Sequence, residues 1–147
     1  MAEKEEIKLT GRQVLRAYEL EKEKLRDIQD RKQQLQQLLS ETVGAEQGLK
    51  EIQNAGKNRQ MLVSLGAGIY AEAKLESNTD VKTGLGNGIV LKTSIVKALE
   101  ELGKRKEGIQ KDIEFTHKDE EVTMQNLNNL GSSIESARQR KIQKSKA

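Results

Sequence analysis

The chain has 147 residues and a mass of 16.5 kDa; 33% of its residues are charged and 34% are apolar. It contains no cysteine, proline or tryptophan, and its only aromatic residues are Tyr18, Tyr70 and Phe115. This composition excludes disulfide scaffolds and thiolate chemistry, and it leaves long helices uninterrupted by proline. So few large apolar side chains would not offset the ordering entropy of an ordinary globular core. Two possibilities are left, a disordered chain or an elongated helical protein with a narrow apolar stripe.

Positive charge is concentrated at the end of the chain. Residues 138–147 carry five cations and no carboxylate, which leaves −2 for the other residues because the whole chain carries +3. Such a tail attracts nucleic acid or anionic membranes, but cations at a helix C-terminus also favour the helix dipole. Because no basic stripe with interleaved aromatic residues accompanies the tail, we favour the second interpretation and expect no nucleic-acid partner.

Targeting signals are not evident in this sequence. It has no apolar run long enough for a transmembrane helix, and its first residues, MAEKEEIKLT, lack the apolar core of a signal peptide. We therefore expect a cytoplasmic protein without a membrane partner.

Residues 10–53 follow a heptad pattern that is typical of a coiled coil. Seven of twelve seam positions are apolar, and the flanking positions are mostly charged or amide residues. Thr10 and Gln13 have the spacing of a capping box, which predicts the helix start. The seam positions are Val14, Tyr18, Glu21, Leu25, Ile28, Lys32, Leu35, Leu39, Thr42, Glu46, Leu49 and Gln53.

A second heptad pattern begins at Ile95, after Thr93 or Ser94 as its cap, and nine of its thirteen seam positions are apolar. Polar residues at Lys106 and from Thr116 to Thr123 predict a weak stretch in which the helices either separate or are flexible. Two helices of similar length around a short insert predict an antiparallel helical hairpin. The seam positions are Ile95, Leu99, Leu102, Lys106, Ile109, Ile113, Thr116, Glu120, Thr123, Leu127, Leu130, Ile134 and Ala137.

Between the helices, residues 61–92 change to the two-residue period of β-strands. Apolar and polar residues alternate from Ile69 to Glu76, residues 77–80 read as a turn, and five of the twelve glycines lie at bends. Four short strands bury little surface by themselves, and unprotected strand edges favour association. We interpret this segment as an oligomerisation module.

Catalytic and cofactor sites are not indicated. The glycines at 66–68 and 84–88 do not complete a G-x-G-x-x-G motif and read as strand bends. His117, the only histidine, has nearby carboxylates but no second histidine or cysteine to complete a metal site, so we read it as a surface residue. We expect no enzyme activity, cofactor or metal.

The ends of the predicted hairpin carry more apolar residues than one seam requires. Ile7 and Leu9 precede the cap, Leu15 and Leu20 lie beside seam positions, and Ile142 follows the second seam. One interpretation is that these residues close the end of the seam and otherwise are ordinary surface leucines. The other is that they form a mobile apolar surface that binds exposed hydrophobic segments weakly.

The order helix, LVSLGAGIYAEAKL, polar turn, GLGNGIVLKTS, helix resembles a prefoldin subunit of the alpha class over most of the chain. The resemblance implies an α+β, mostly α fold. In this fold a long antiparallel coiled-coil hairpin carries two small β-hairpins, which assemble into an intersubunit β-barrel platform. It divides the chain into a helix over 1–57, an oligomerisation region over 58–93 and a helix with a basic tail over 94–147. Ser64, where the family usually has proline, and Asn87, where a small residue is usual, depart from the pattern.

The same resemblance implies an ATP-independent chaperone. In it two alpha and four beta-type subunits, or copies of one subunit, hold unfolded polypeptides at coiled-coil tips and deliver them to a group II chaperonin. The alternatives are a structural scaffold or filament-forming homo-oligomer without client specificity. The implied client-binding residues are Ile7, Leu9, Val14, Leu15, Leu130, Ile134 and Ile142. The expected oligomerisation residues are Val63, Leu65, Ile69, Ala71, Ala73, Leu75, Val81, Leu85, Ile89 and Leu91.

Overall fold

Two long helices and two β-hairpins make up the computed structural model, which describes residues 10–146. Helix α1 spans Gly11–Asn54, and helix α2 spans Ile95–Ser145. Strands β1 (Gln60–Gly66) and β2 (Ile69–Lys74) form one antiparallel hairpin, and β3 (Asp80–Gly86) and β4 (Ile89–Ser94) form another. This arrangement confirms the predicted fold class for a single chain; association of the hairpins into a barrel stays a prediction.

Local hydrogen bonds at the helix starts explain the element boundaries. The Thr10 backbone N–H donates to Gln13 Oε1 at 2.8 Å, and the Gln13 N–H donates to Thr10 Oγ1 at 3.4 Å, which is a complete capping box. At α2 the Lys97 N–H donates to Ser94 Oγ at 3.2 Å. Both predicted helix starts are therefore confirmed, and Ser94 rather than Thr93 is the second cap.

The chain divides into two compact units, residues 10–35 with 112–146 and residues 36–111, and the predicted seams are the less exposed faces of the helices in both. Ile95 and Ile109 are buried in the second unit, while Thr116 and Thr123 are buried in the first. Only the last position of each seam, Gln53 and Ala137, is exposed. A straight helix drifts from a strict seven-residue repeat. By the end of α1, Ile52 is therefore less exposed than Gln53, the neighbouring seam position.

Polar seam positions, expected to be weak points, instead pair across the helices. In the first unit Lys32 Nζ lies 2.6 Å from Glu120 Oε2, and in the second Lys106 Nζ lies 2.8 Å from Glu46 Oε2. The expected separation of the helices is wrong: Lys106 and Glu120 each meet an oppositely charged residue on α1. Thr116 and Thr123, between which the weak stretch was expected, are buried. A half-buried ion pair is weak evidence for stability. It does, however, disfavour every alignment of the two helices that would leave one of the charges unpaired.

The three buried threonines of the seams differ in whether their hydroxyl groups form hydrogen bonds. The hydroxyls of Thr42 and Thr116 donate to the carbonyls of Leu38 and Asp112, whereas Thr123 Oγ1 is buried without a partner in residues 10–146. Because a buried unpaired hydroxyl costs free energy, T123V is expected to raise the free energy of unfolding by about 1 kcal/mol. The matched variants T42V and T116V are expected to give no gain. Urea unfolding followed by circular dichroism measures all three, and equal gains would contradict this account.

Both hairpins use the same turn, repeated twenty residues apart as LGAGI and LGNGI. In each, the three central residues have positive φ, and a register shift occurs one residue earlier in the strand. Ala67 and Asn87 occupy equivalent left-handed positions, both with φ 51. Asparagine tolerates this conformation better than alanine does, so Asn87 fits its turn despite its departure from the family pattern. Ser64 pairs with Tyr70 immediately before the first register shift.

Candidate functional site

In the unit that contains the helix ends, a groove of about 1,070 Å³ lies between the start of α1 and the last turns of α2. We call it the terminal groove. Val14, Leu130 and Ile134 are half-buried in it, while Leu15 keeps 53% of its surface exposed. The residues that line it are Thr10, Gly11, Arg12, Val14, Leu15, Leu130, Ser133, Ile134, Ala137, Arg138 and Lys141.

The terminal groove brings together four of the seven residues that the sequence assigns to client binding. Val14 and Leu15 come from α1, and Leu130 and Ile134 come from α2. Ile142 is about half exposed but does not line the groove. Ile7 and Leu9 lie outside the described residues. Most of the apolar part of the groove therefore follows from the heptad pattern, since Val14, Leu130 and Ile134 are seam positions near the helix ends, whereas Leu15 lies beside the seam.

Sequence reasoning missed the cationic part of the groove. Arg12, Arg138 and Lys141 line it together with the apolar residues. The signal was available on α2, because Ile134, Arg138 and Lys141 are spaced at i, i+4 and i+7 and so share one helix face. Two cations that sequence analysis assigned to the helix dipole thus lie beside the apolar residues.

The β-hairpins present a second candidate surface. Six of the expected oligomerisation residues are exposed here: Val63, Leu65, Ile69, Leu85, Ile89 and Leu91. The other four, Ala71, Ala73, Leu75 and Val81, are half-buried. We call the ten residues together the hairpin surface. Each two-stranded sheet also leaves two strand edges without a ladder partner, so the hairpin surface has both the apolar area and the backbone groups for pairing.

The hairpins expose more apolar residues than the ten predicted from the sequence. Leu62, Tyr70 and Val90 are also exposed, each by 55% or more. In the observed register Leu62 lies opposite Glu72 and Val63 lies opposite Ala71, so exposed apolar side chains occur on both faces of the first hairpin. A recess of about 590 Å³ beside this hairpin is lined by a mixture of residues, among them the apolar Ile52, Met61 and Leu75 and the charged Glu51 and Arg59.

Glu120 is at the centre of a charged cluster in the first unit. Besides Lys32, Gln29 Nε2 lies 3.4 Å from Glu120 Oε1, and His117 Nδ1 lies 3.6 Å from Glu120 Oε2. The hydrogen bond from Lys32 is the main reason that the pKa of Glu120 lies below its ordinary value of 4.5, and it outweighs the opposing effect of desolvation. The cluster is an electrostatic contact of the seam rather than a pocket.

The described residues do not form a metal site or a membrane-spanning segment. Over residues 10–146 no group of three His, Cys, Asp or Glu side chains could hold a metal ion. Within the same part of the chain, neither helix has a stretch that is long and apolar enough to cross a bilayer. The terminal groove and the hairpin surface are therefore the two features that a function must explain.

Comparison with known proteins supports the same interpretation. The family model for the prefoldin subunit matches residues 22–140. A curated relative, prefoldin subunit alpha of Thermofilum pendens, is 28% identical over 108 residues, which cover 74% of this chain and 84% of the relative. The cryo-electron microscopy structure of filamentous PFD from Methanocaldococcus jannaschii aligns with a TM-score of 0.52 at 20% identity, covering 86% of this chain and 97% of that one.

Proposed function

This chain belongs to the prefoldin family as an alpha-type subunit, and from that premise we propose that it holds non-native polypeptides in an ATP-independent chaperone. Prefoldins are a chaperone family, not an enzymatic one, and their subunits assemble with one another. Polypeptide binding in the terminal groove prevents aggregation. The assembly then delivers the bound chain to a group II chaperonin.

The observation that carries this proposal is the exposed apolar lining of the terminal groove. A folded protein rarely leaves a connected apolar surface open unless that surface binds something. Leu15 is mostly exposed, and Val14, Leu130 and Ile134 are only half-buried. One such groove binds an unfolded segment weakly, but several grooves on one assembly raise the effective concentration and make weak contacts useful. Open grooves on an oligomer suit clients that share no sequence.

The hairpin surface supports the assembly part of the proposal. We propose that it pairs with beta-type subunits in a hexamer of two alpha and four beta chains in the cytoplasm. The exposed residues Leu65, Ile69, Leu85 and Ile89 occupy equivalent places in the two repeated hairpins, so each hairpin offers a similar edge to a neighbour.

The experiment that tests client binding is light scattering of a refolding client in the presence of the assembled protein. The variant L15S/I134S is expected to lose most of the suppression of aggregation, because both apolar side chains line the groove. The matched control F115S/V122S removes two apolar side chains that are 62% and 53% exposed on α2 outside the groove. Equal suppression by the wild-type protein and L15S/I134S would exclude client binding at this site.

A homo-oligomeric filament without client specificity is the second candidate. One observation favours it, namely that the structural relative described above is a filamentous assembly. Native mass spectrometry and electron microscopy of the chain alone, and then with a beta-type prefoldin subunit, distinguish the two. Discrete hexamers only with the partner support the chaperone subunit, whereas filaments that bind folded and unfolded proteins equally support the scaffold.

A further inference from the structure

We propose that the terminal groove selects non-native segments in which apolar side chains are flanked by carboxylates. This inference rests on the proposed function and names the class of client that this subunit favours. Neutral apolar segments also bind the groove, but less tightly, and segments flanked by lysine or arginine bind least.

The charge of the groove lining is the first observation behind this proposal. Arg12, Arg138 and Lys141 line the groove, and no carboxylate within residues 10–146 lines it. None of the three cations forms a salt bridge with any residue in the range 10–146. In contrast, Lys32 and Lys106 in the seams each have a carboxylate partner within 2.8 Å. Among the residues that the structure describes, the cations of the groove therefore have no carboxylate partner, whereas those of the seams are already paired.

The surrounding residues strengthen the positive potential. Residues 10–20 and 130–146 together carry seven cations but only two carboxylates, Glu19 and Glu135. Helix α1 begins at the groove with no acidic residue in its first turn, so the positive end of its dipole adds to the potential. The rest of the chain has a net negative charge, so the positive potential belongs to this surface.

The apolar and cationic residues lie close enough to contact one bound segment. Ile134, Arg138 and Lys141 follow each other along one face of α2, and Arg12 and Leu15 face the groove from α1. A bound segment could bury its apolar side chains against Leu15, Leu130 and Ile134 while its carboxylates reach the cations at the rim. Exposed charge pairs are individually weak. With three such pairs, we expect a carboxylate-flanked segment to bind between about threefold and thirtyfold more tightly than a neutral one.

Fluorescence anisotropy with three labelled peptides tests the proposal. The peptides share one apolar core and are flanked by glutamate, glutamine or lysine, and the protein is the full chain in its assembled form. We expect the glutamate-flanked peptide to bind at least about threefold tighter than the glutamine-flanked one, with the difference lost near 0.5 M salt. In R12Q/R138Q/K141Q the two affinities should become equal. In the matched control R105Q/K111Q/K118Q, which removes three exposed cations outside the groove, the preference should persist.

The outcomes separate this inference from the proposed function. If all three peptides bind equally and L15S/I134S abolishes binding, the groove is a client site without charge selectivity and the inference fails alone. If no peptide binds, or L15S/I134S changes nothing, the proposed function fails as well. A preference that survives in R12Q/R138Q/K141Q overturns the inference. A preference that appears only after deletion of residues 1–9 also overturns it. That result would mean that carboxylates of the deleted segment pair with these cations in the full-length chain.

Discussion

The variant I69D/I89D is expected to remain unassembled while its helices stay folded. Ile69 and Ile89 begin the second strand of each hairpin and are 61% and 56% exposed. Burying one isoleucine side chain contributes about 1.5–3 kcal/mol, and a carboxylate at the same place adds a desolvation cost. Because both repeated hairpins are changed, no intact copy of this edge is left for a neighbouring subunit. Analytical ultracentrifugation with and without a beta-type subunit measures the outcome.

The control for this prediction is F115D/V122D. It introduces the same two carboxylates at exposed apolar positions of α2 outside the hairpins. This variant is expected to assemble like the wild-type protein, with the same helical circular dichroism. Assembly of I69D/I89D at wild-type concentrations would show that the hairpin surface is not the interface.

Reversal of one charge in the Lys32–Glu120 pair is expected to give a large loss of stability. In E120K two ammonium groups would meet where a carboxylate lies 2.6 Å from Lys32 now, with side chains only 25% and 14% exposed. We expect a loss of about 2–4 kcal/mol in the free energy of unfolding.

The double variant K32E/E120K is the control and should recover more than half of this loss. It places the carboxylate on α1 and the ammonium group on α2, as the Glu46–Lys106 pair already does in the other unit. Urea unfolding at one fixed protein concentration gives the coupling energy. An equal loss in the double variant would mean that the pair does not determine helix register.

The same pair predicts a pH dependence with a definite sign. The pKa of Glu120 is lower in the folded chain than its ordinary value of 4.5, mainly because of the hydrogen bond from Lys32. A carboxyl whose pKa is lowered by folding stabilises the fold above its unfolded pKa, and this contribution is lost as the pH falls through the folded pKa. The stability difference between the wild-type protein and E120Q should therefore shrink as the pH falls through 4.5, the ordinary pKa of this carboxyl, to lower values. A difference that stays constant over this range would contradict the assignment.

Local chemistry made the helices and hairpins predictable from the sequence. The capping box at Thr10 and Gln13 defines the start of α1, and the heptad pattern, which runs to Gln53, reaches within one residue of the observed end at Asn54. The hairpins follow from alternation and from a turn sequence whose residues need positive φ. These signals act over a few residues, so one sequence is sufficient to read them.

Features that depend on the register between distant residues were not predictable. Lys106 and Glu46 are sixty residues apart, and each looks like a defect in its own helix until the two helices are paired. For the same reason Arg138 and Lys141 read as a basic tail, although they line the terminal groove with Arg12. The spacing of Thr123 predicts a seam position, but it does not predict that its hydroxyl is buried without a partner among the described residues.

The central claim is that non-native polypeptide binds in the terminal groove, and site-specific photo-crosslinking tests it most directly. A photoreactive residue is placed at Leu15 in the groove, which is 53% exposed, or at Phe115 outside it, which is 62% exposed and serves as the control. The assembled protein is then mixed with an unfolded or a folded client. We predict abundant crosslinks from position 15 to the unfolded client, few to the folded client, and few from position 115. Equal crosslinking from both positions, or suppression of aggregation without any crosslink from position 15, would contradict the account.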